Sequence, residues 1–235
     1  MLNVAFASGM FLFSVVEKEQ NWSISWQGLL AVTVRRKGIL SRELLSDLAY
    51  VREELIGTLG EVVILQAYES LTIYWESLSD RLALGASSAE VERVILEKVC
   101  QVWELVNVEM YSCRCFDVEA RYTGEDLGEV AEFLEVTADE IVRRHTAVSY
   151  QVAAVGFLKD FVYLWGVDES LSVPRKVSPR TSVLAGSLAM TGRQTAVYPS
   201  ASPGGWNVIG HVDLPLYLEV ARELKVGDEV QFRAV

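Results

Sequence analysis

The stretch VLAGSLAMTGRQTAVYPSASPGGWNVI, residues 183–209, decides the fold of the C-terminal part of this 235-residue chain. Short apolar runs alternate in it with Gly, Pro and Ser, and a similar run lies upstream at Val152–Val155. Turn signals at intervals of about 8–12 residues are typical of the short strands of a β-barrel or sandwich. Gly227-Asp228, before the apolar alternation of Glu229–Phe232, predicts a hairpin turn into a final edge strand.

The N-terminal part of the chain has patterns of both helix and strand. Ser41 precedes leucines and valines at helical spacing, and Ser87-x-x-Glu90 is a capping box before a second amphipathic helix. Between them, Glu61–Ala67 and Ser70–Trp75 are two β-rich runs with a short polar break, which predicts a hairpin. Helices that alternate with a few strands predict a small α/β sandwich, in which helices cover one sheet.

Proline and charge also divide the chain into two chemically different parts. All five prolines lie in the last 62 residues, and the net charge of −11 is uneven: residues 1–140 have a net charge of −13, whereas residues 142–206 have +4. We therefore expect an α+β fold with an α/β sandwich domain at 1–110 and a β-barrel domain at 111–235. The acidic total argues against a nucleic-acid partner, while the basic part is suited to an anion.

Cysteine usage and hydropathy predict a cytoplasmic protein without membrane association. Cys100, Cys113 and Cys115 are too few and too oddly spaced for a disulfide framework. The apolar opening run lacks the basic n-region of a signal peptide, and Ser8-Gly9 within it predicts a turn between two short strands. No stretch reaches the roughly 20 apolar residues of a membrane span.

The densest group of chemically distinctive residues lies between 174 and 206. Pro174-Arg175 and Pro179-Arg180 form a repeated Pro-Arg pair that can present two guanidinium groups to a carboxylate or phosphate. Ser202-Pro203-Gly204-Gly205-Trp206 predicts a tight turn with free backbone N–H groups beside a Trp ring. From these residues alone a second interpretation stays open, in which the arginines form surface ion pairs and the turn is an ordinary barrel turn.

Two histidines, His145 and His211, are too few for a multi-histidine zinc site, and no metal site is predicted. The chain has no GxSxG, P-loop or GxGxxG motif, which removes the corresponding hydrolase, NTPase and dinucleotide-binding hypotheses. His145 follows two arginines near a helix C-terminus, where a favourable interaction with the helix dipole is a sufficient explanation for it.

Taken in order, these motifs resemble one family. They are His145-x4-Tyr150, Gly156-Phe157-x3-Phe161-x-Tyr163, both Pro-Arg pairs, Ala185-Gly186-Ser187, Gln194-Thr195, Tyr198-Pro199 and the 202–206 turn. The family is variously called allophanate hydrolase subunit 1, the KipI-type histidine-kinase inhibitor and the B-type subunit of 5-oxoprolinase. The module is also part of the carboxyltransferase domain of urea carboxylase. In the looser N-terminal match, Ser8–Phe13 is similar to the family's opening strand.

The resemblance implies an N-terminal α/β domain followed by a cyclophilin-like β-barrel. It also implies a non-autonomous subunit of an amide- or lactam-cleaving complex of the 5-oxoprolinase type. The implied partners are a KipA-type protein, which is the C-type subunit of 5-oxoprolinase, and a LamB/YcsF-type protein, which is its A-type subunit. No cofactor is predicted for this chain, and ATP is expected to be used by the complex. The alternative is a regulatory inhibitor whose partner is a sensor histidine kinase, and a third interpretation is a structural paralogue without either activity.

The site residues are predicted from the motif match together with the chemistry of the side chains. We expect Arg175 and Arg180 to hold a substrate carboxylate or a phosphorylated intermediate, and His145 to transfer or orient a proton. The predicted substrate-binding residues are Gln194, Tyr198, Ser202, Gly204, Gly205 and Trp206.

The chain departs from the family pattern where the family usually has Gly or Pro. Leu158-Lys159-Asp160 replaces the usual x-Pro-Gly, Leu184 replaces Pro, Ala196 replaces Gly, and the loop at 122–127 is shortened. Such changes predict altered loop shapes near the cleft.

Overall fold

A computed structural model describes residues 21–106 and 113–235 of the chain. The predicted turn at Ser8-Gly9 lies outside these residues. Backbone contacts divide the chain into two compact units, with the division between Ser112 and Cys113, and each unit is described by itself. No helix among the described residues is both long enough and apolar enough to cross a membrane.

The first unit is a small α/β sandwich. Its strands pair antiparallel in the order β1-β2-β4-β3, and the helices pack on one face of this sheet. The elements are β1 (Trp22–Trp26), β2 (Ala31–Arg36), α1 (Arg42–Thr58), β3 (Val62–Ala67), β4 (Ser70–Trp75), α2 (Leu78–Leu82) and α3 (Ser88–Trp103).

Local signals in the sequence fix the ends of these elements. The Ser41 hydroxyl accepts the Leu44 N–H at 3.2 Å and caps α1, while Ser87 and Glu90 form a full capping box at the start of α3. Each cap satisfies backbone N–H groups that lack a partner in the first helical turn. The predicted hairpin is also present, with Val62 opposite Trp75 and Ala67 opposite Ser70.

The second unit is built around a closed barrel of seven strands. They follow the order β6-β13-β5-β12-β9-β10-β7, and β7 pairs again with β6 to close the barrel. The elements are β5 (Cys115–Arg121), α4 (Leu127–Phe133), α5 (Ala138–Thr146), β6 (Ser149–Val155), β7 (Val162–Trp165), β8 (Arg180–Val183), β9 (Ser187–Thr191), β10 (Gln194–Val197), β11 (Ser202–Gly204), β12 (Asn207–Val212), α6 (Leu214–Glu223) and β13 (Glu229–Ala234).

The predicted α+β fold class, a small α/β sandwich followed by a cyclophilin-like β-barrel, is confirmed. Strands β8 and β11 lie outside the barrel ladder and pair with each other, with Gly204 opposite Arg180 and Ser202 opposite Val183. This small ribbon places the second Pro-Arg pair beside the 202–206 turn.

The prediction of a hairpin into a final edge strand is wrong. Helix α6 precedes the turn at Gly227-Asp228, and β13 lies inside the barrel ladder, parallel to β5 and antiparallel to β6. Val230 and Phe232 are fully buried in the core. Their alternation suits any strand with one buried face, so the local pattern could not distinguish an edge strand from a strand inside the barrel ladder.

Candidate functional site

An aromatic pocket of about 270 Å³ opens on the barrel unit beside the β8–β11 ribbon. It contains five of the residues predicted from the sequence, namely Arg175, Tyr198, Gly204, Gly205 and Trp206. Its other lining residues are Phe157, Phe161, Tyr163 and Pro203. None of these nine residues has a carboxylate, so the lining side chains present aromatic faces, two phenolic hydroxyls and one cation.

The aromatic wall of the pocket is organised around Phe161, which is 2% exposed. Its ring centroid lies 4.8 Å from that of Tyr163, 5.5 Å from that of Tyr198 and 6.2 Å from that of Trp206. The contacts with Tyr198 and Trp206 are edge-to-face, which is a favoured geometry for aromatic pairs. The wall is therefore a packed cluster rather than a set of independent side chains, and it should hold its shape without a ligand.

Two hydrogen bonds fix the backbone on either side of Arg175. The Asn207 amide donates to the Pro174 carbonyl at 2.9 Å, and the Lys176 N–H donates to the Gly205 carbonyl at 2.8 Å. Arg175 itself is exposed, and no carboxylate in the described parts of the chain lies within ion-pair distance of it. Its guanidinium is therefore available to a ligand anion.

Arg180 is in a different situation from Arg175. Its guanidinium lies 2.6 Å from Asp126 and 3.0 Å from Glu125, and its side chain is 22% exposed. Arg180 is not among the lining residues of the aromatic pocket. The two Pro-Arg arginines thus differ in what they contact: one faces the pocket, and the other binds protein carboxylates.

Asp126 is the centre of this ion-pair network. Its side chain is 3% exposed; Oδ1 accepts hydrogen bonds from Lys176 (2.7 Å) and Arg180 (2.6 Å), and Oδ2 accepts one from the Val208 N–H (2.7 Å). Burial opposes ionisation of Asp126, but the hydrogen bonds from Arg180, Lys176 and Val208 outweigh it and hold the pKa of Asp126 below its ordinary value. The carboxylate is therefore charged at neutral pH.

The hydroxyl of Tyr198 lies directly against the backbone of the 202–206 turn. A Cβ on Gly204 would approach the Tyr198 hydroxyl oxygen to 2.3 Å, which is far inside van der Waals contact. The backbone on both sides of Tyr198 is also fixed, because its N–H donates to Ser187 at 2.9 Å and its carbonyl accepts from Gly186 at 2.8 Å. Glycine is therefore required at position 204 for the tyrosine to keep this position.

His145 lies in the barrel core and does not line the aromatic pocket. It is fully buried, with Nδ1 2.8 Å from the Tyr122 hydroxyl and Nε2 3.1 Å from the Thr195 hydroxyl. Its ring packs against Tyr150 and Phe232. Burial lowers the pKa of His145 to about 3, so the ring is neutral at physiological pH.

Gln194 and Ser202 are also absent from the pocket lining. Gln194 begins β10, opposite Trp165 of β7, whereas Tyr198 follows the other end of the same strand, about 13 Å along the chain. Ser202 is buried, and its backbone pairs with Val183 in the ribbon. The structure thus does not bring these two residues together with Arg175.

Among the residues that the structure describes, no group of three or more His, Cys, Asp or Glu side chains is placed to hold a metal ion.

Residues 22–225 of the chain match the family described as carboxyltransferase domain, subdomain C and D. The chain belongs to this family. Within the carboxyltransferase family, a Bacillus subtilis (strain 168) protein, named as the B-type subunit of 5-oxoprolinase, is 34% identical over 194 residues, which are 78% of this chain and 79% of that protein. A Haemophilus influenzae protein of the same name is 36% identical over 144 residues, 59% of this chain and 68% of the relative.

Solved structures show the same fold within longer chains. TTHA0988 matches with a TM-score of 0.69 and 27% identity over 91% of this chain, but this match covers only 40% of the TTHA0988 chain. Kluyveromyces lactis urea carboxylase matches with a TM-score of 0.64 and 13% identity, over 22% of its length, which shows the fold alone. This chain thus spans less than half of each of these two chains.

The family match begins at Trp22, so the assignment of Ser8–Phe13 to the family's opening strand has no support from it. Sequence reasoning also missed the role of Asp126, which it treated only as part of the shortened loop at 122–127, and the wall residues Phe161 and Tyr163. Both wall residues belong to the carboxyltransferase-family motif and lie on either side of the first residue of β7. That position was the signal in the sequence that could have indicated them as pocket residues.

Replacement of Asp126 by Asn should destabilise the protein by about 3 kcal/mol, because it leaves Lys176 and Arg180 without their buried counter-charge. Urea denaturation at pH 7 measures this change. The matched control is Glu129→Gln: Glu129 also pairs with Lys176, but its side chain is 68% exposed, so it should change stability by less than about 1 kcal/mol.

The contribution of Asp126 to the free energy of unfolding should also depend on pH, and the direction of this dependence follows from the lowered pKa. The pKa of Asp126 is lower in the folded state, so its contribution is present above about pH 4 and is lost as the pH falls further. The stability difference between wild type and Asp126→Asn should therefore shrink only below about pH 4. A difference that already disappears at pH 6 would contradict the network.

The stability difference between wild type and His145→Gln should also depend on pH, because the buried His145 ring is neutral. The folded-state pKa lies below the unfolded-state value of about 6.5, so His145 stabilises the fold above that pH and progressively less as the pH falls toward 3. Between pH 7 and pH 5, the stability advantage of wild type over the variant should fall by about 2 kcal/mol. Paired urea denaturation curves measure it, and a pH-independent difference would show that the ring is not buried in the neutral form.

Gly204→Ala should displace either the Tyr198 hydroxyl or the 202–206 turn, because the added methyl group would overlap the phenol oxygen. Trp206, one of six tryptophans in the chain, lies in the same turn, so a shift in the fluorescence spectrum of the protein reports the change. Gly205→Ala is the control: a Cβ there would meet Pro179 at 3.5 Å, an ordinary contact. Equal spectra for wild type and Gly204→Ala would contradict the close approach.

Proposed function

We propose that this chain is a subunit of an ATP-dependent amide- or lactam-cleaving complex of the 5-oxoprolinase type, and that Arg175 binds the carboxylate of the substrate in the aromatic pocket. The observation that supports this most directly is an arginine without a counter-ion among the described residues, at a pocket whose lining includes no carboxylate. The relatives named as 5-oxoprolinase subunits supply the substrate class.

The chemistry of 5-oxoproline suits the residues of the pocket. Its carboxylate can form a bidentate, charge-assisted pair with a guanidinium group. Its five-membered ring has two largely apolar faces, which can pack against the rings of Phe161, Tyr163 and Trp206. Arg175 and the aromatic wall are held separately by the hydrogen bonds of residues 174–176 and by the ring cluster, so the site is organised before a ligand binds.

The pocket supplies binding groups rather than the reacting groups of a hydrolase. Its lining residues include no carboxylate, histidine or cysteine that could act as a general base or nucleophile. His145 is buried away from the pocket lining, in a neutral form. We therefore assign ring opening and the use of ATP to the assembled complex, in which a KipA-type protein and a LamB/YcsF-type protein complete the active site.

The alternative function, inhibition of a sensor histidine kinase, stays a prediction. No contact or charge pattern in the described residues favours a kinase domain over a companion subunit.

Arg175→Ala should raise the KM for 5-oxoproline by about 10- to 100-fold in the complex assembled from this chain and its partner subunits, because a charge-assisted hydrogen-bond pair is lost. ATP-dependent formation of glutamate measures this effect. The matched control is Arg143→Ala, since Arg143 is 68% exposed on α5 and does not line the pocket; it should leave turnover unchanged. No turnover by the wild-type complex would contradict the proposal for this substrate, and an unchanged KM in Arg175→Ala would contradict the role of Arg175.

A further inference from the structure

The hydroxyl of Tyr198 is a hydrogen-bond donor at the pocket for which the described residues offer no acceptor. Tyr198 is 3% exposed, and the backbone of Gly204 lies directly against its hydroxyl oxygen. Within residues 21–106 and 113–235, no group accepts the phenolic proton of Tyr198. The Gly204 backbone occupies the side of the oxygen toward the turn, and Tyr198 lines the aromatic pocket, so a ligand in the pocket can supply the acceptor.

The surroundings of this hydroxyl determine that it acts as a hydrogen-bond donor. Burial raises the pKa of Tyr198, and this effect outweighs the opposing effects of the Trp206 N–H and the positive charge of Arg175. The phenol is therefore protonated at neutral pH.

Tyr198 and Arg175 line the same cavity and have different hydrogen-bonding capacities. The guanidinium group is a planar fork that matches a carboxylate, whereas the phenol offers one directed donor that matches a single carbonyl oxygen. A lactam acid presents these two acceptor groups on one small ring. A saturated ring acid presents only the carboxylate, and would offer the Tyr198 proton no acceptor.

We propose that Tyr198 determines the specificity of the pocket for a lactam: its hydroxyl donates to the ring carbonyl oxygen while Arg175 holds the carboxylate. This inference rests on the proposed function, because it concerns the same pocket and the same substrate class. It assigns to Tyr198 the discrimination between a cyclic amide acid and a ring acid of equal size.

Three ligands separate the contributions of the two residues. They are 5-oxoproline, 3-oxocyclopentanecarboxylate, which keeps the ring carbonyl but lacks the ring N–H, and cyclopentanecarboxylate, which lacks both. The wild-type chain, by itself and assembled with its partner subunits, should bind the first two about 5- to 10-fold more tightly than the third, the value of one net hydrogen bond. Isothermal titration calorimetry on the chain and inhibition constants in the complex measure this ratio.

In Tyr198→Phe, the two ligands with a ring carbonyl should bind about as tightly as cyclopentanecarboxylate. The affinity for cyclopentanecarboxylate itself should stay within about twofold of the wild-type value. Arg175→Ala should weaken all three ligands and preserve the ratio. Tyr74→Phe removes a half-exposed hydroxyl in the N-terminal unit and should change neither quantity. The unchanged affinity for cyclopentanecarboxylate serves as the control that the pocket keeps its shape in Tyr198→Phe.

The outcomes distinguish failure of this inference from failure of the proposed function. If wild type binds the three acids equally and Arg175→Ala weakens them, the specificity role of Tyr198 is wrong and the acid-binding function stands. A ratio that persists in Tyr198→Phe also overturns the role of Tyr198. If none of the acids binds wild type in either form, the proposed function fails and this inference fails with it.

Discussion

The buried carboxylate of Asp126 is the interaction on which the geometry of the site depends. It joins three segments that are distant in sequence: the loop before α4, the segment that contains both Pro-Arg pairs, and β12, through the backbone of Val208. Lys176 is bound at its side chain by Asp126 and at its N–H by Gly205, so the adjacent Arg175 is held at the edge of the pocket. A buried carboxylate thereby positions the cation that lines the pocket without contacting it.

The same network explains why two similar Pro-Arg pairs have different roles. Arg180 lies opposite Gly204 in the β8–β11 ribbon, and its side chain reaches Asp126 and Glu125. Arg175 precedes the ribbon. One hydrogen bond holds the backbone of Pro174 and another holds that of Lys176, whereas no carboxylate among the described residues binds the Arg175 side chain. One arginine binds protein carboxylates and the other lines the pocket, a difference that a pattern of identical dipeptides cannot reveal.

Local chemistry made part of this structure predictable, and long-range pairing made the rest unpredictable. The caps at Ser41 and Ser87 and the β3–β4 hairpin depend on residues close in sequence, and the barrel followed from its regular turns and family motifs. The placement of β13 between β5 and β6 depends on partners over 70 residues away, and the burial of His145 between Tyr122 and Thr195 likewise joins distant segments. Neither periodicity nor residue type contains that information.

The departures from the family pattern are accommodated without loss of the pocket wall. Asp160, where the family usually has Gly, adopts a left-handed φ of 64°, which Asp tolerates better than most residues, and its carboxylate lies 3.5 Å from Arg222 of α6. The loop still closes, because the Gly156 N–H donates to Phe161 and the Phe161 N–H to Leu158, each at 3.1 Å. Phe161 therefore lies at the centre of the pocket wall although the loop before it lacks the usual Pro-Gly.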